Sequence, residues 1–536
     1  MTSKRREQGP GSREQSERAW RSLFPALVYL LLRLPGLLAL PLFNDEAVYL
    51  LRAQRFPRLL TESPLNGGTL PDGKLLQELG LAALALLPGD PLLPARLLSV
   101  ACGLGTLAAL MICGRQIGRP GAGVLAGLLY ALAPLAQIHD RMAIPDSMLT
   151  MVGAFVLAAS VGYARGASAG RRAAFGLGAL IAAAALVKLP GLLFALTPAL
   201  AVLTLSAPGE RWRKLGQLRL SLIVALAALA ALAPFHYGGA ERPKIGGELS
   251  RLALIGRNVD LVGIWLLRYL PGPLLILPLA ALGAGAAPQV LMMLSGVGGF
   301  AAHTRQQINA GAAQPPPRPH REVLFLLAAG LAVPGAFAVI GGDISSRYIL
   351  PAWPALLLAA ALGAQILWGA DRLRGAARAL VALSLGAAIL WGGSFALRYS
   401  VDPRTAPLDA GDRRQYVETW TAGYGLPALL EHIQGVAAAD GPITLALHDQ
   451  PRLASLAGQI YLSANPQIHL AIIDLSAAQA PDQLRAQAAR EPTYVMADAQ
   501  VADVYGLRQR FPGLRVVQVV ENPGGAMRFW LFVQGQ

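Results

Sequence analysis

Charge is scarce in this sequence. Only 14% of its 536 residues are Asp, Glu, Lys or Arg, against about 25% in soluble domains, which argues against a wholly water-soluble globule. Cysteine is scarcer still. Cys102 and Cys113 fall in one apolar run, so neither a disulfide framework nor a zinc site is expected. There is no internal repeat and no Walker or dinucleotide fingerprint. A cleavable leader is not expected either, because the charged N-terminal stretch is long and the first apolar run lacks a small-x-small cleavage site. Acid is outnumbered, with 31 Asp and Glu against 46 Lys and Arg and a net charge of +15. No basic helix with interleaved aromatics accompanies that excess, so a nucleic-acid partner is not expected. The arginines instead flank apolar runs, as the positive-inside rule requires.

Apolar residues are abundant. They make up 54% of the chain and gather into runs long enough to cross a bilayer, separated by short charged loops. The pattern predicts an all-α polytopic membrane domain of about eleven transmembrane helices, with a small α/β extracytoplasmic domain behind it. Residues 1–22 read as a polar cytoplasmic tail, 23–398 as the membrane domain and 399–536 as the outer domain. The plasma (inner) membrane is the expected location, with the N-terminus inside. The first span is expected over 23–43, and a long outer loop over 44–93. The turn-rich Asn66-Gly67-Gly68 and Pro71-Asp72-Gly73 lie in that loop. Its apolar piece Leu75 to Leu87 is too short to cross and is placed on the outer surface. Further spans are expected over 94–114, 121–138, 148–164, 173–206 (two short ones broken at Lys188-Leu189-Pro190-Gly191), 218–235, 262–284, 323–340, 349–368 and 379–396. The run 288–302 is read as interfacial, and 303–322, with Pro315-Pro316-Pro317, as a cytoplasmic loop.

Beyond residue 400 the character changes. Short apolar runs at 443–447, 468–473, 493–497, 514–520 and 529–533 read as strands, and 425–438, 477–489 and 502–511 as helices.

Ionisable groups at the ends of spans are the informative feature, since charge beside hydrocarbon is costly and defaults to function. Asp45 and Glu46 follow the first span, and Asp146 precedes the fourth. The topology puts them on one face, together with Lys74, His139, Arg141, Arg347 and Tyr348. Carboxylates and cations in one interfacial layer suit a substrate that carries a phosphate and a hydroxyl to be deprotonated. Bland roles compete: acids favour helix N-termini, Lys74 can snorkel to headgroups, and Arg347 and Tyr348 can anchor a helix at the interface. His448 and Asp449 read as ordinary loop residues. Carboxylates also accept hard cations, so a divalent metal stays open, although no dense ligand cluster is visible.

Five short stretches in order resemble a known family. They are Asn44-Asp45-Glu46-Ala47-Val48-Tyr49, Lys74 at the head of the surface segment, Arg96-Leu97-Leu98-Ser99, Arg141-Met142-Ala143-Ile144-Pro145-Asp146 and Arg347-Tyr348-Ile349-Leu350-Pro351. Over about residues 23–370 the chain is similar to the GT-C fold glycosyltransferases of the protein O-mannosyltransferase and aminoarabinose transferase family. The resemblance implies a polyprenyl-phosphate-linked sugar donor and a protein or glycolipid acceptor on the outer face of the lipid bilayer. It implies Asp45 as the catalytic carboxylate, Glu46 as its partner, Asp146 as the second acid and Lys74 near the lipid phosphate. The family's Pro-rich stretch before the surface segment is missing, since the chain reads Asp72-Gly73-Lys74-Leu75-Leu76.

The expected reaction is an inverting transfer of mannose or a related hexose or pentose. A phosphate leaves without needing a proton, so one base suffices, unlike glycoside hydrolysis. A transporter or lipid flippase is the main rival; it would carry ionisable groups near the midplane and paired repeats. A non-catalytic membrane scaffold is the other.

Overall fold

A computed structural model describes residues 23–62, 74–166, 170–236, 251–270, 272–294, 319–342, 344–370, 374–504, 506–525 and 527–535. The expected tail 1–22, the turns at 66–68 and 71–73, and the proline-rich run 315–317 lie outside these residues.

The helices of the first 401 residues run as α1 (Leu23–Arg33), α2 (Asn44–Glu62), α3 (Leu75–Leu84), α4 (Leu92–Gln116), α5 (Pro120–Leu132), α6 (Pro134–His139), α7 (Pro145–Arg165) and α8 (Arg171–Val187). They continue as α9 (Leu196–Leu205), α10 (Arg211–His236), α11 (Arg251–Tyr269), α12 (Gly272–Leu294), α13 (Pro319–Ile340), α14 (Trp353–Trp368) and α15 (Arg374–Val401). Six helices among the described residues are long and apolar enough to cross a membrane, or seven if the pair α11 and α12, bent by 99°, is one broken span. The expected count of about eleven is therefore not reached by long helices; several crossings are interrupted.

Each interruption has a local cause. The expected first span over 23–43 stops at Arg33, because Pro35 withholds an amide and Gly36 takes a left-handed φ of 65°. A Cβ at Gly36 would sit 2.0 Å from the Ser400 carbonyl oxygen, so only glycine fits there. The third span breaks between α5 and α6 at Pro134, which cannot donate to the Tyr130 carbonyl. Buried Arg33 serves that carbonyl at 3.4 Å and the Ala131 carbonyl at 2.9 Å. The stretch 173–206 is two short helices, as expected, turning at Lys188-Leu189-Pro190. The expected straight span 262–284 is instead the bent pair α11 and α12. The run 288–302, read as interfacial, continues α12 as far as Leu294; its remainder lies outside the described residues. Segment α3 spans only ten residues, about 15 Å at 1.5 Å per residue, too short to cross.

The C-terminal part holds a five-stranded sheet in the order β2-β1-β3-β5-β4. Strands β1 (Ile443–His448), β2 (Ile468–Ile473) and β3 (Thr493–Asp498) are parallel; β4 (Leu514–Glu521) and β5 (Arg528–Gln534) run antiparallel. All five strands were legible from alternation. Parallel neighbours need helical crossovers, and these are Leu453–Leu462, which the sequence reading left unassigned, and Ala480–Ala488. The expected helix 502–511 is two short pieces, Ala499–Val504 and Leu507–Arg510, parted by Gly506 at φ 57°.

This sheet domain is fastened to the membrane part. The Asn44 amide donates to the Thr421 carbonyl (3.0 Å), and Phe43 forms a β-bridge with Ala422. Arg55 donates to Gln459 (2.5 Å) and Tyr461 to Asp90 (3.3 Å).

Candidate active site

Asp45 lies in the first turn of α2, and Arg347 in the 3₁₀ turn Ser346–Ala352 that leads into α14. The Arg347 Nη1 donates to Asp45 Oδ2 at 2.6 Å. Burial would raise the Asp45 carboxyl, but the Arg347 guanidinium outweighs it, with help from Lys74 and Lys188, and holds the group below the usual carboxylate range. Asp146, at the N-terminus of α7, accepts from Lys188 Nζ at 2.9 Å. Pro145 at the first helical position and an acid in the first turn are what a helix start favours.

Lys188 reaches Asp146 because α8 ends in an extended residue and Pro190 starts a reversed turn. Gly191 lets that turn lie against α8; a Cβ there would sit 2.3 Å from the Ala184 carbonyl. The same ammonium stands 4.2 Å over the Tyr348 ring, whose other neighbours are Phe337 (5.3 Å, stacked) and the Arg347 guanidinium (5.5 Å). Lys74 hydrogen-bonds the Tyr49 hydroxyl and lies 4.5 Å from that ring's centre.

The layer thus holds two carboxylate–cation pairs, Asp45–Arg347 and Asp146–Lys188, with Lys74 close enough to act on Asp45. Three cations, Arg347, Lys188 and Lys74, thus gather in one layer, and guanidinium and ammonium groups are the usual phosphate binders.

Glu46 is placed differently from Asp45. Its two oxygens accept from Arg96 Nε (2.9 Å), Arg96 Nη2 (2.7 Å), the Ala143 amide (2.7 Å) and the Phe43 amide (3.1 Å), all fully buried. Arg96 also donates to the carbonyls of Leu37 (2.9 Å), Leu40 (2.6 Å) and Pro41 (3.1 Å), while Ser99 donates to Met142 (2.6 Å). Glu46, Arg96 and Ser99 therefore brace the loop before α2 against the loop before α7. A carboxylate so fully engaged is not a base; it aims Asp45.

Arg141 also departs from expectation. It donates to the Leu32 carbonyl and to Ser400 Oγ (2.6 Å) and lies over Tyr399 (5.4 Å), so it ties α1 to α15 rather than facing a substrate. His139 and Asp140 part company. Asp140 turns to Tyr29 (3.0 Å), Tyr130 (3.2 Å) and Arg33 (3.8 Å) inside the helices. His139 faces the layer of Asp45 and Asp146, 6.0 Å from the Tyr416 ring.

Three groups escaped the sequence reading. Lys188 was visible as an odd cation in a broken span but had no assigned partner. Tyr416, just beyond the last span, packs edge-on against Phe43 at 5.1 Å, two residues before Asp45. Asp412 is buried and accepts from Ser346 Oγ (2.7 Å) and from the Tyr269 hydroxyl, next to Arg347. No local pattern marks the last two; only the fold brings them in.

Both acids of the layer already hold a cation, so they do not form a ready divalent-metal cradle. Among the described residues, one group could offer a metal three ligand atoms: His448, Asp449 and Asp474. It sits at the ends of β1 and β2, outside this layer.

Residues 76–237 match the family model described as dolichyl-phosphate-mannose-protein mannosyltransferase. Over nearly its whole length the chain is similar in structure to ArnT from Cupriavidus metallidurans bound to undecaprenyl phosphate, with TM-score 0.53 and 14% identity, covering 97% of this chain and 99% of that one. This chain has the fold of these GT-C glycosyltransferases over nearly its whole length. The apo form of the same ArnT matches this chain at TM-score 0.52 and 15% identity, covering 98% and 100%. A looser likeness links it to the Archaeoglobus fulgidus oligosaccharyltransferase (TM-score 0.46, 11% identity, 96% and 74% covered). No curated protein matches it by sequence.

Proposed function

We propose that this transferase moves a sugar, mannose or a related hexose or pentose, from a polyprenyl-phosphate donor to a hydroxyl of a protein or glycolipid acceptor. It does so on the outer face of the plasma membrane, with Asp45 as general base. The observation that carries this reading is the Asp45–Arg347 contact at 2.6 Å with Lys74 beside it.

Arg347 keeps Asp45 ionised while the site is empty of donor. An arriving phosphate offers the guanidinium a second anion, and bidentate phosphate binding is what arginine does best. Sharing Arg347 with phosphate loosens its hold on Asp45, whose basicity then rises where an acceptor hydroxyl can meet it. Asp45 takes the hydroxyl proton as the oxygen attacks the anomeric carbon and the phosphate leaves from the opposite side. Arg347 and Lys74 offset the growing phosphate charge, and Asp146 with Lys188 fixes the far wall. The domain 399–536 lies over this layer through Tyr416 and the Asn44–Thr421 contact, which suits a role in receiving the acceptor. The undecaprenyl phosphate seen in ArnT supports a polyprenyl donor here.

The test follows release of free polyprenyl phosphate from a panel of labelled polyprenyl-phosphate sugars, with a crude envelope extract as acceptor. Wild type should turn over at least one donor. Asp45→Asn should lose roughly 10²–10⁴-fold in rate, the usual contribution of such a base, with unchanged expression. Undiminished turnover by Asp45→Asn would overturn the assignment.

A further inference from the structure

The catalytic layer contains more buried polar capacity than its own residues use. Among the described residues, neither nitrogen of fully buried His139 has a hydrogen-bond partner, and the same holds for the Tyr416 hydroxyl, Asp146 Oδ2, Arg347 Nε and Asn44 Oδ1. Native interiors rarely leave such atoms orphaned, and each one calls for an explanation. These atoms are not scattered. The His139 ring meets the Tyr416 ring at 6.0 Å and 70°. Asp45, Asp146 and Arg347 all lie near enough to act on the Tyr416 hydroxyl, and Asp146, Arg347 and Lys188 on the His139 ring. The end of α6, the start of α7, the turn before α14 and the segment after α15 thus bring unused donors and acceptors to one place.

The chemistry of the set narrows its ligand. An imidazole and a phenol can each donate and accept, and Asp146 Oδ2 accepts. A lipid chain would leave all of them unsatisfied. A phosphate accepts only, so it would leave Asp146 Oδ2 without a donor. A hydroxyl both donates and accepts, so several hydroxyls on one rigid ring match the set. Charge narrows it further. Asp45 and Asp146 are each committed to a cation, and a sugar amine would need an uncommitted carboxylate to replace its hydration.

We propose that His139, Tyr416 and Asp146 form the donor-sugar subsite and select a neutral, polyhydroxylated sugar over an amino sugar. The inference rests on the glycosyl-transfer reading above. His139 and Tyr416 touch the sugar hydroxyls; the phosphate stays with Arg347 and Lys74. Because Tyr416 stands beyond the last span, the sugar is read partly by the segment that carries the sheet domain.

The experiment uses the full chain in nanodiscs, as wild type and Tyr416→Phe, a change that removes one oxygen and keeps the ring packed on Phe43. Donors are polyprenyl phosphates bearing a neutral hexose, each of its monodeoxy forms, and an amino sugar. kcat and KM are measured for each, together with competition by sugar-free polyprenyl phosphate. We expect Tyr416→Phe to lose roughly tenfold in kcat/KM with the neutral donor, one hydrogen bond's worth. One monodeoxy donor should be poor for wild type and no poorer for the variant. Competition by polyprenyl phosphate should be unchanged, and the amino sugar should be the weaker donor. A Tyr416→Phe loss that is equal for every monodeoxy donor, weakened polyprenyl phosphate competition, or a preference for the amino sugar would each overturn the subsite. No turnover by wild type with any donor would overturn the transfer reading, and the subsite with it.

Discussion

At the residue scale, two neighbouring acids have been given different work by their surroundings. Asp45 is part-exposed and held by one arginine at its edge; Glu46 is sealed and carries four hydrogen bonds. In the sequence they are equivalent, because adjacency in the chain says nothing about which way each points. Breaking a buried ion pair from one side typically costs about 3–5 kcal/mol, since the other charge is left uncompensated. Glu46→Gln should therefore lower the thermal midpoint sharply and reduce activity through misfolding, whereas Asp45→Asn, which weakens a partly exposed pair and keeps an amide oxygen for Arg347, should lower it much less while removing most turnover. Thermal unfolding of both variants in detergent checks this contrast. If Glu46→Gln melts like wild type, the bracing role is wrong.

At the element scale, the breaks matter more than the spans. Residues whose prolines interrupt a crossing (Pro35, Pro134, Pro190) also turn the chain so that Arg33, His139 and Lys188 point inward. The segment after α15 closes the layer from outside. Its Asp412 is linked through Ser346 to the turn bearing Arg347, and through Tyr269 to the end of α11. Burial pushes the Asp412 carboxyl up to about 6, which the hydrogen bonds from Tyr269 and Ser346 only partly offset. An unfolded aspartate titrates near about 3.9, so between these values the folded protein binds the proton more tightly than the unfolded chain. Stability should then fall as pH rises from about 4 to about 6 and level off above. Asp412→Asn should flatten that segment of the profile, read as unfolding midpoint against pH. A profile that keeps its slope in the variant would assign it to another group.

At the scale of the whole molecule, the candidate catalytic layer and the sheet domain share one face. The exposed loop at Gly209 between α9 and α10 lies at the other end of the helices from Lys188. With buried Cys102 and Cys113 as its own cysteines, the protein suits single-cysteine labelling. A membrane-impermeant maleimide added to intact cells should label Ser476→Cys and should reach Gly209→Cys only after permeabilisation. The reverse pattern would place the site on the inner face and remove the polyprenyl-sugar reading's geometry.

Composition and periodicity alone determined that this is a multi-pass membrane chain with an α/β tail, because the cost of exposing apolar side chains to water, or charges to lipid, is set residue by residue. The same local physics marked Asp45, Asp146 and Lys74, whose charges stand beside apolar runs. It could not assign Lys188 to Asp146, Arg347 to Asp45, or Tyr416 and Asp412 to the layer at all. Those pairings join stretches tens to hundreds of residues apart, and the number of long crossings depends on how prolines and the left-handed Gly36 are absorbed by neighbouring helices. Tertiary packing alone decided them, since the stability of a buried charge depends on partners that the local sequence does not contain.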